Sequence, residues 1–292
     1  MRYLITGANG MLGTDLQETL SGRAVTALGR SDLDITDLDA VRAAVAGHDV
    51  VVNAAAYTKV DDAETHEDEA LAVNATGTRN LAIAARETGA RLVTVSTDYV
   101  FPGDATEPYA EDTPRAPLNA YGRTKALGEE TAIAEHPDGT YIVRTAWLYG
   151  EHGPNFAATM ARLSTTHETV SVVSDQEGQP TWTADLAARI VELLDGDAPA
   201  GVYHGTNAGR TTWHGFTRAI FEELGLDPER VLETDSSAFV RPAPRPAFSV
   251  LGHDRWAAAG LPPMRDWREA LHAAVAAGAV SLPPVPPSAD RS

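Results

Sequence analysis

Cysteine is missing from all 292 residues, which excludes disulfide frameworks, zinc–thiolate sites, iron–sulfur clusters and cysteine nucleophiles. Basic side chains are scarce beside acidic ones, 23 against 41, for a formal net charge of −18. That shortage argues against nucleic acid and against anionic membranes as partners, because each demands a basic footprint. Apolar runs of 18 residues are also lacking, so no membrane-crossing helix is expected. The opening Met1-Arg2-Tyr3-Leu4-Ile5 enters a strand pattern at once and lacks a signal-peptide layout, so a cytoplasmic protein is expected. The nine His show no H-x-H or H-E-x-x-H spacing, and no metal ligand is assigned. Six acids crowd between Asp61 and Glu69; they read as a solvated helix N-terminus favoured by the helix dipole, in preference to a metal site.

What is present suits a buried core, since 43% of the residues are hydrophobic. Short apolar runs at Tyr3–Thr6, Ala24–Leu28, Val50–Asn53, Leu92–Ser96 and Tyr141–Arg144 alternate with helical patterns near Met11–Leu20, Asp37–Ala46, Glu67–Thr88 and Asn119–Glu135. Alternation of that kind predicts βαβ units, and runs such as Val50-Val51-Val52 predict strands covered on both faces. The fold class is therefore α/β, a doubly wound parallel sheet of Rossmann-like type. Beyond Trp147 the pattern loosens, with helices expected at Phe156–Ser164, Ala184–Leu194, Trp213–Leu224 and Asp266–Ala277, strands at Val170–Val173 and Val202–His204, and a loop at Phe239–Pro246. The expected division is a dinucleotide-binding domain over 1–150 with a return segment near 182–206. A smaller, mostly C-terminal substrate domain takes 151–181 and 207–280, and a disordered proline-rich tail takes 281–292.

The first strand runs into Gly7-Ala8-Asn9-Gly10-Met11-Leu12-Gly13 and then a helix. Strand, glycine turn and helix in that order form the context a dinucleotide pyrophosphate needs: Gly7 for the turn, Gly10 for close approach, Gly13 for helix packing. A tight turn without ligand is the alternative. The second strand ends in Gly29-Arg30-Ser31, where an acid would favour NAD. Arg30 suits a 2′-phosphate instead, which points to NADPH, with NADH as the alternative cofactor. Arg30 as plain surface charge stays open, and Asp32 and Asp34 lie close by. Asp34 and Ile35 join the expected cofactor residues, as do Asn9, Met11 and the small-residue strand end Ala54-Ala55-Ala56-Tyr57, which admits a flat ring or ribose.

Lysine occurs only at Lys59 and Lys125, yet Tyr121 and Lys125 are spaced four apart within a helical pattern. That spacing puts both side chains on one helix face. A phenol with its ordinary pKa of about 10 is a weak acid at neutral pH, and a neighbouring ammonium is expected to lower it. An exposed i,i+4 pair is the plainer alternative. Thr97 ends the strand before this helix, at the carboxyl edge where ligands of such sheets bind, and its hydroxyl can orient a carbonyl oxygen. Asn74 either ties Lys125 through water or serves helix packing.

Taken together, Gly7/Gly10/Gly13, Thr97 and Tyr121/Lys125 resemble the extended short-chain dehydrogenase/reductase superfamily. Closer likeness lies in Asn53-Ala54-Ala55-Ala56-Tyr57-Thr58, Ser96-Thr97-Asp98-Tyr99-Val100-Phe101, Asn119-Ala120-Tyr121-Gly122, Arg144-Thr145-Ala146-Trp147-Leu148-Tyr149-Gly150, Asn155-Phe156, Asp175-Gln176-Glu177-Gly178-Gln179-Pro180-Thr181 and Arg245-Pro246. These stretches resemble the dTDP-4-dehydrorhamnose reductase family from Met1 to about Val275. The resemblance implies reduction of the 4-keto group of dTDP-4-dehydro-β-L-rhamnose to dTDP-L-rhamnose with NADPH or NADH, the partner being a dTDP-4-keto-6-deoxy sugar. It implies Tyr121 as proton donor, Lys125 as its tuner and ribose anchor, and Thr97 as the carbonyl's hydrogen-bond partner. Asp98 joins the substrate residues, Trp147 flanks the sugar, and Asn155, Gln176 and Arg245 serve the nucleotide end. Arg144 and Arg245 are expected to focus positive field on the pyrophosphate. Some members are magnesium-linked dimers, so a homodimer and Mg2+ follow as further expectations, although no motif here identifies metal ligands. Arg123-Thr124 stands where a small residue and Ser are more usual, which leaves the nearby sugar contacts open.

Other readings remain at this level. A 4-ketoreductase for another dTDP-deoxysugar, of antibiotic or dihydrostreptose type, shares every motif above. A sugar-nucleotide epimerase is disfavoured by the chain's length and by Arg30, and a 4,6-dehydratase by Tyr99, where a second acid is expected. A non-catalytic NADP-binding regulatory subunit would not need an intact Thr97, Tyr121 and Lys125.

Overall fold

A computed structural model describes residues 1–196 and 198–283. The chain runs β1 (Arg2–Thr6), α1 (Met11–Thr19), β2 (Ala24–Leu28), α2 (Leu38–Val45), β3 (Val50–Asn53), α3 (Glu67–Leu71), a π-helical turn (Ala72–Gly77), α4 (Thr78–Thr88), β4 (Arg91–Thr97), α5 (Ala120–Glu135) and β5 (Thr140–Thr145). There follow β6 (Leu148–Tyr149), α6 (Phe156–Ser164), β7 (Val170–Val173), β8 (Glu177–Gly178), β9 (Thr181–Trp182), α7 (Thr183–Asp195) and β10 (Gly201–His204). The remainder is β11 (Thr211–Thr212), α8 (Trp213–Glu223), β12 (Val231–Thr234), α9 (Asp254–Ala258) and α10 (Trp267–Ala276). The expected tail lies outside the described residues from 284 onward.

Six strands form one parallel sheet in the order β2-β1-β3-β4-β5-β10. The period of two along each strand sends alternate side chains to opposite faces. Tyr3, Ile5, Val50, Val52, Val93 and Val143 pack with α1 and α7 on one face. Leu4, Val51, Leu92 and Ile142 pack with α2, α4 and α5 on the other. Each such fully buried side chain contributes roughly 1.5–3 kcal/mol. The edge strand β2 departs from the pattern, because Ala24, Thr26 and Ala27 are exposed. The segment α7–β10 rejoins the sheet beside β5, with Val202 opposite Ile142.

The helical stretch 67–88 is not uniform as its sequence suggested. A π-helical turn interrupts it where Asn74 directs its side chain to Tyr57 and Thr124. Turns of this type cluster at functional sites. The second core gathers Tyr149, Phe216, Phe221 and Trp267 around α6, α8 and α10. Short pairs complete it: β6 with β9, β7 with β12, and β8 with β11. Two-residue strands and the five-residue α9 carry no periodicity and were not anticipated. No helix among the described residues is long and apolar enough to cross a membrane.

Candidate active site

The chain leaves β1 to form β2 on one side and returns across β1 to form β3 on the other. Ligands of open α/β sheets bind at that reversal, outside the carboxyl ends of the strands. Gly7 occupies it with φ +71°, and a Cβ there would lie 2.5 Å from Ala55 N. The turn therefore closes onto the Ala54-Ala55 strand end only because Gly7 has no side chain. Gly13 is equally constrained, since a Cβ would sit 2.3 Å from Gly7 O. Gly10 is different: its Cβ position meets only Gly7 O, at 3.3 Å. Gly10 also begins α1 without any side-chain cap, and the first turn carries no acid. Unpaired N–H groups and the positive end of the helix dipole thus face outward at a cradle shaped for phosphate.

Around this cradle Asn9 is exposed and packs against Gly29, where a Cβ would come 2.3 Å from Asn9 Nδ2. Met11 begins α1 half-buried. Arg30 is exposed just past β2, while Asp32 accepts from Gly29 N at 2.8 Å. Asp34 accepts from the Thr36 amide and hydroxyl, which hold its carboxyl below the usual range, with Arg30 adding a smaller effect. Ile35 is buried against Gly77. Ala54, Ala55, Ala56 and Tyr57 are half-buried along the β3 end. Asn74 clamps Tyr57 by accepting from its N–H at 2.8 Å and donating to its carbonyl at 3.1 Å. It also donates to Thr124 Oγ1 at 3.0 Å, so it is tied to the helix of Lys125 without touching the ammonium.

Helix α5 brings the second group of residues in. Asn119 caps it by accepting from Gly122 N at 2.8 Å. Two glycines let it close on its surroundings: a Cβ on Gly122 would lie 2.2 Å from Tyr99 O, and one on Gly128 2.2 Å from Asn74 O. The face formed by Tyr121, Lys125 and Glu129 then lies against the carboxyl end of β4. Lys125 is buried and its Nζ donates to Val95 O at 2.6 Å. Burial lowers its pKa to about 8, with Glu129 acting in the opposite direction. Thr97, also buried, donates to Asp98 Oδ1 at 2.9 Å and accepts from Tyr99 N at 3.2 Å.

Tyr121 corrects one expectation. Its phenol is raised above the ordinary value, first by burial and then by the Asp98 charge, while a hydrogen bond with Thr97 pulls it down. The Lys125 ammonium donates to Val95 O and not to the phenol, and burial outweighs what lowers the phenol. Tyr121 is therefore held firmly protonated. Asp98 is itself pushed up to about 6 by burial, against hydrogen bonds from Ser249 and Thr97, and its Oδ2 has no partner. Tyr99 meets Tyr121 edge-on with ring centroids 5.9 Å apart.

One further expectation needs correction. Arg144 is buried, with Nε and Nη2 donating to Glu129 at 2.9 and 2.7 Å and the guanidinium 4.8 Å over the Phe101 ring. So paired, it presents no free charge to a ligand. Asn155 spends its side chain on local backbone: it accepts from Ala158 N as the cap of α6 and donates to Gly150 O at 2.8 Å. Arg245 is half-buried, paired to Asp61 at 3.0 Å, and its charge acts on Tyr99. Gln176 donates to Ser236 Oγ at 2.9 Å. Arg123 pairs with Glu67 at 2.7 Å and is exposed on the α3 side. Trp147 has φ +46° and stacks on Trp213.

Glu129, Ser249, Asp61 and Trp213, which neighbour the expected site residues, were not singled out from the sequence. Glu129 alone left a signal, lying four residues after Lys125 on the same face.

Among the described residues, Asp15, Glu18 and His152 are the group whose ligand atoms converge, within 4.8 Å of one another. Magnesium favours several oxygen ligands. One buried carboxylate, one exposed carboxylate and an imidazole do not fit that donor set.

Comparisons with known proteins show what the whole chain is similar to. Residues 1–280 match the family described as RmlD substrate binding domain. The chain is similar to a dTDP-4-dehydrorhamnose reductase of Streptomyces griseus, 56% identical over 278 residues, covering 92% of this chain and 91% of the relative. A probable dTDP-4,6-dihydroxy-2-methyloxan-3-one 4-ketoreductase of Streptomyces antibioticus is 52% identical, covering 94% of each. Among solved structures, the dTDP-4-dehydrorhamnose reductase of Bacillus anthracis str. Ames in complex with NADP superposes with a TM-score of 0.91 at 40% identity, covering 94% of this chain and 99% of that one.

Proposed function

This chain belongs to the dTDP-4-dehydrorhamnose reductase family, and on that premise we propose that it reduces the 4-keto group of dTDP-4-dehydro-β-L-rhamnose to dTDP-L-rhamnose with NADPH. The observation that carries the reading is the convergence at one sheet edge of an uncapped glycine turn, the Thr97 strand end and the Tyr121/Lys125 face. NADPH, when bound, supplies the hydride that the carbonyl carbon accepts.

The residues of the chain do the rest. Gly7, Asn9, Gly10, Met11 and Gly13 hold the pyrophosphate, Arg30 meets the 2′-phosphate, Asp34 and Ile35 line the adenosine end, and Ala54–Tyr57 admit the flat rings. Tyr121 holds its proton until negative charge grows on the carbonyl oxygen, a far stronger base than a ketone, and then releases it there. A high phenol pKa suits this direction, since reduction calls for an acid that stays protonated at neutral pH. Thr97 and Tyr121 together stabilise the developing charge from fixed positions. Lys125 anchors the ribose, its ammonium held in place by the Val95 carbonyl. Asp98, Trp147, Gln176 and Arg245 position the sugar nucleotide, and Asp61 holds Arg245 in place.

On the same reading, residues 1–150 with 182–206 bind the cofactor, 151–181 and 207–280 bind the sugar nucleotide, and a homodimer works in the cytoplasm. A second reading, 4-keto reduction of a different dTDP-deoxysugar, is favoured by the 52% identity to the ketoreductase of Streptomyces antibioticus. One assay separates the two: loss of NADPH absorbance with enzymatically made dTDP-4-dehydrorhamnose, followed by identification of the product sugar. dTDP-L-rhamnose formed at a high rate supports the first reading. Faster turnover of another dTDP-keto sugar supports the second.

A further inference from the structure

Trp147 is the one non-glycine residue among the described residues with a positive φ, +46°. That region is disfavoured for any residue with a Cβ and more so for a bulky one, so the surroundings must hold it there. Its place in the fold is not arbitrary. Thr145 at the end of β5 pairs in register with Thr97, and Trp147 follows two residues later, on the side where Thr97 and Tyr121 meet. The Trp147 carbonyl accepts from Thr181 N at 3.2 Å, which fixes the backbone.

The ring is fixed by a separate device. Trp213, the first residue of α8, stacks on Trp147 with centroids 3.5 Å apart and planes within 9°. Behind it Phe156 packs on Trp213 at 4.4 Å. Gly178 closes the nest, because a Cβ there would lie 2.6 Å from Trp147 Cε2. Gly178 and the residues leading into Trp213 are paired, Thr211 opposite Gly178 on the antiparallel β8/β11 ribbon. Thr212 then caps α8 by accepting from Gly215 N at 3.0 Å. One small ribbon thus carries both groups that seat the Trp147 indole. Trp213 is half-buried, packing one side against the second core while its ring seats Trp147.

We propose that Trp213 and Gly178 are positioning residues for the sugar: through stacking and close contact they hold the Trp147 indole against the sugar ring beside Thr97 and Tyr121. This rests on the function proposed above. On this proposal both residues act through Trp147, the side chain each contacts.

The test uses purified full-length enzyme and the variants Trp213→Ala, Trp213→Phe and Gly178→Ala. KM and kcat are measured separately for dTDP-4-dehydrorhamnose and for NADPH. We expect Trp213→Ala and Gly178→Ala to lower kcat/KM for the sugar about tenfold or more, with the KM for NADPH within twofold. Trp213→Phe, which keeps an aromatic face, should recover most of the loss. A sugar kcat/KM within twofold of wild type in Trp213→Ala overturns the proposal, as does an equal loss for both substrates or a loss that Phe does not restore. A second arm needs no substrate. Near-ultraviolet circular dichroism of Trp147→Phe, Trp213→Phe and the double variant should be strongly non-additive, and simple additivity overturns the stacking. Should wild-type enzyme oxidise no NADPH with this sugar, the proposed function fails, and the dichroism arm still decides whether Trp213 seats Trp147.

Discussion

The Lys125 ammonium donates to the carbonyl oxygen of Val95 at 2.6 Å. A buried cation is thereby pinned to the strand that ends in Thr97, one residue pair away from the reacting edge. Burial makes that cation easier to deprotonate, down to about 8.

The pH profile should carry this signature. With its pKa below the ordinary lysine value, Lys125 is charged below about pH 8 and neutral above it. Any step that needs the cation is complete at neutral pH and declines as pH rises through 8. kcat/KM for NADPH, which reports free enzyme, should show an alkaline limb near 8. Lys125→Arg keeps its charge throughout and should abolish that limb while lowering the plateau. An unchanged limb in that variant would assign the ionisation elsewhere.

Tyr121→Phe removes the acid and leaves the ring. Proton transfer from a positioned group is worth roughly 10²–10⁴-fold, so kcat should fall within that range. NADPH affinity, measured by fluorescence titration, should change by less than about threefold, since the phosphate cradle lies on α1 and not on α5. Turnover near the wild-type level would remove Tyr121 from the reaction.

Arg30→Ala tests cofactor choice. A charge-assisted hydrogen bond is worth about 1.5–3 kcal/mol, or roughly tenfold to a hundredfold in affinity. KM for NADPH should rise by that order while KM for NADH stays level. Parallel changes in both would make Arg30 ordinary surface charge.

Arg144→Ala should damage the fold and not the affinity for substrate. It removes the two short bonds to the buried Glu129 carboxylate and leaves it only Arg115 at 3.3 Å, and breaking a buried pair from one side costs up to about 3–5 kcal/mol. Thermal unfolding should report a large drop in Tm. Replacing both partners with hydrophobic residues of similar volume should restore much of it. A raised sugar KM with Tm unchanged would return Arg144 to the binding surface.

Much of the fold was legible because its signals are local. Val50–Val52 and the runs at Tyr3, Leu92 and Tyr141 lie in a sheet buried on both faces, so nearly every position is apolar whichever way it points. Capping residues Asp37, Asn119 and Asp266 marked helix starts within a residue. The interruption at Ala72–Gly77 was not legible, because it coincides with bonds from Asn74 to Tyr57 and Thr124, 17 and 50 residues away, which no local spacing announces. Two-residue strands such as β8 and β11 are too short to show a period of two. Their existence depends on which segments meet.

The order of residues along the chain was enough to determine the α/β alternation, the glycine turn at the first crossover, and the Tyr121/Lys125 face. Each follows from spacing within a single element or between neighbouring ones. Only the tertiary structure decided what each charge faces. Arg144 turned out to be spent on Glu129 in the core, Lys125 was bound to a carbonyl and not to the phenol, and Tyr121 rose in pKa where proximity in sequence suggested a fall. The reason is that desolvation and pairing depend on every atom within a few ångströms, and those atoms come from segments far apart in the chain.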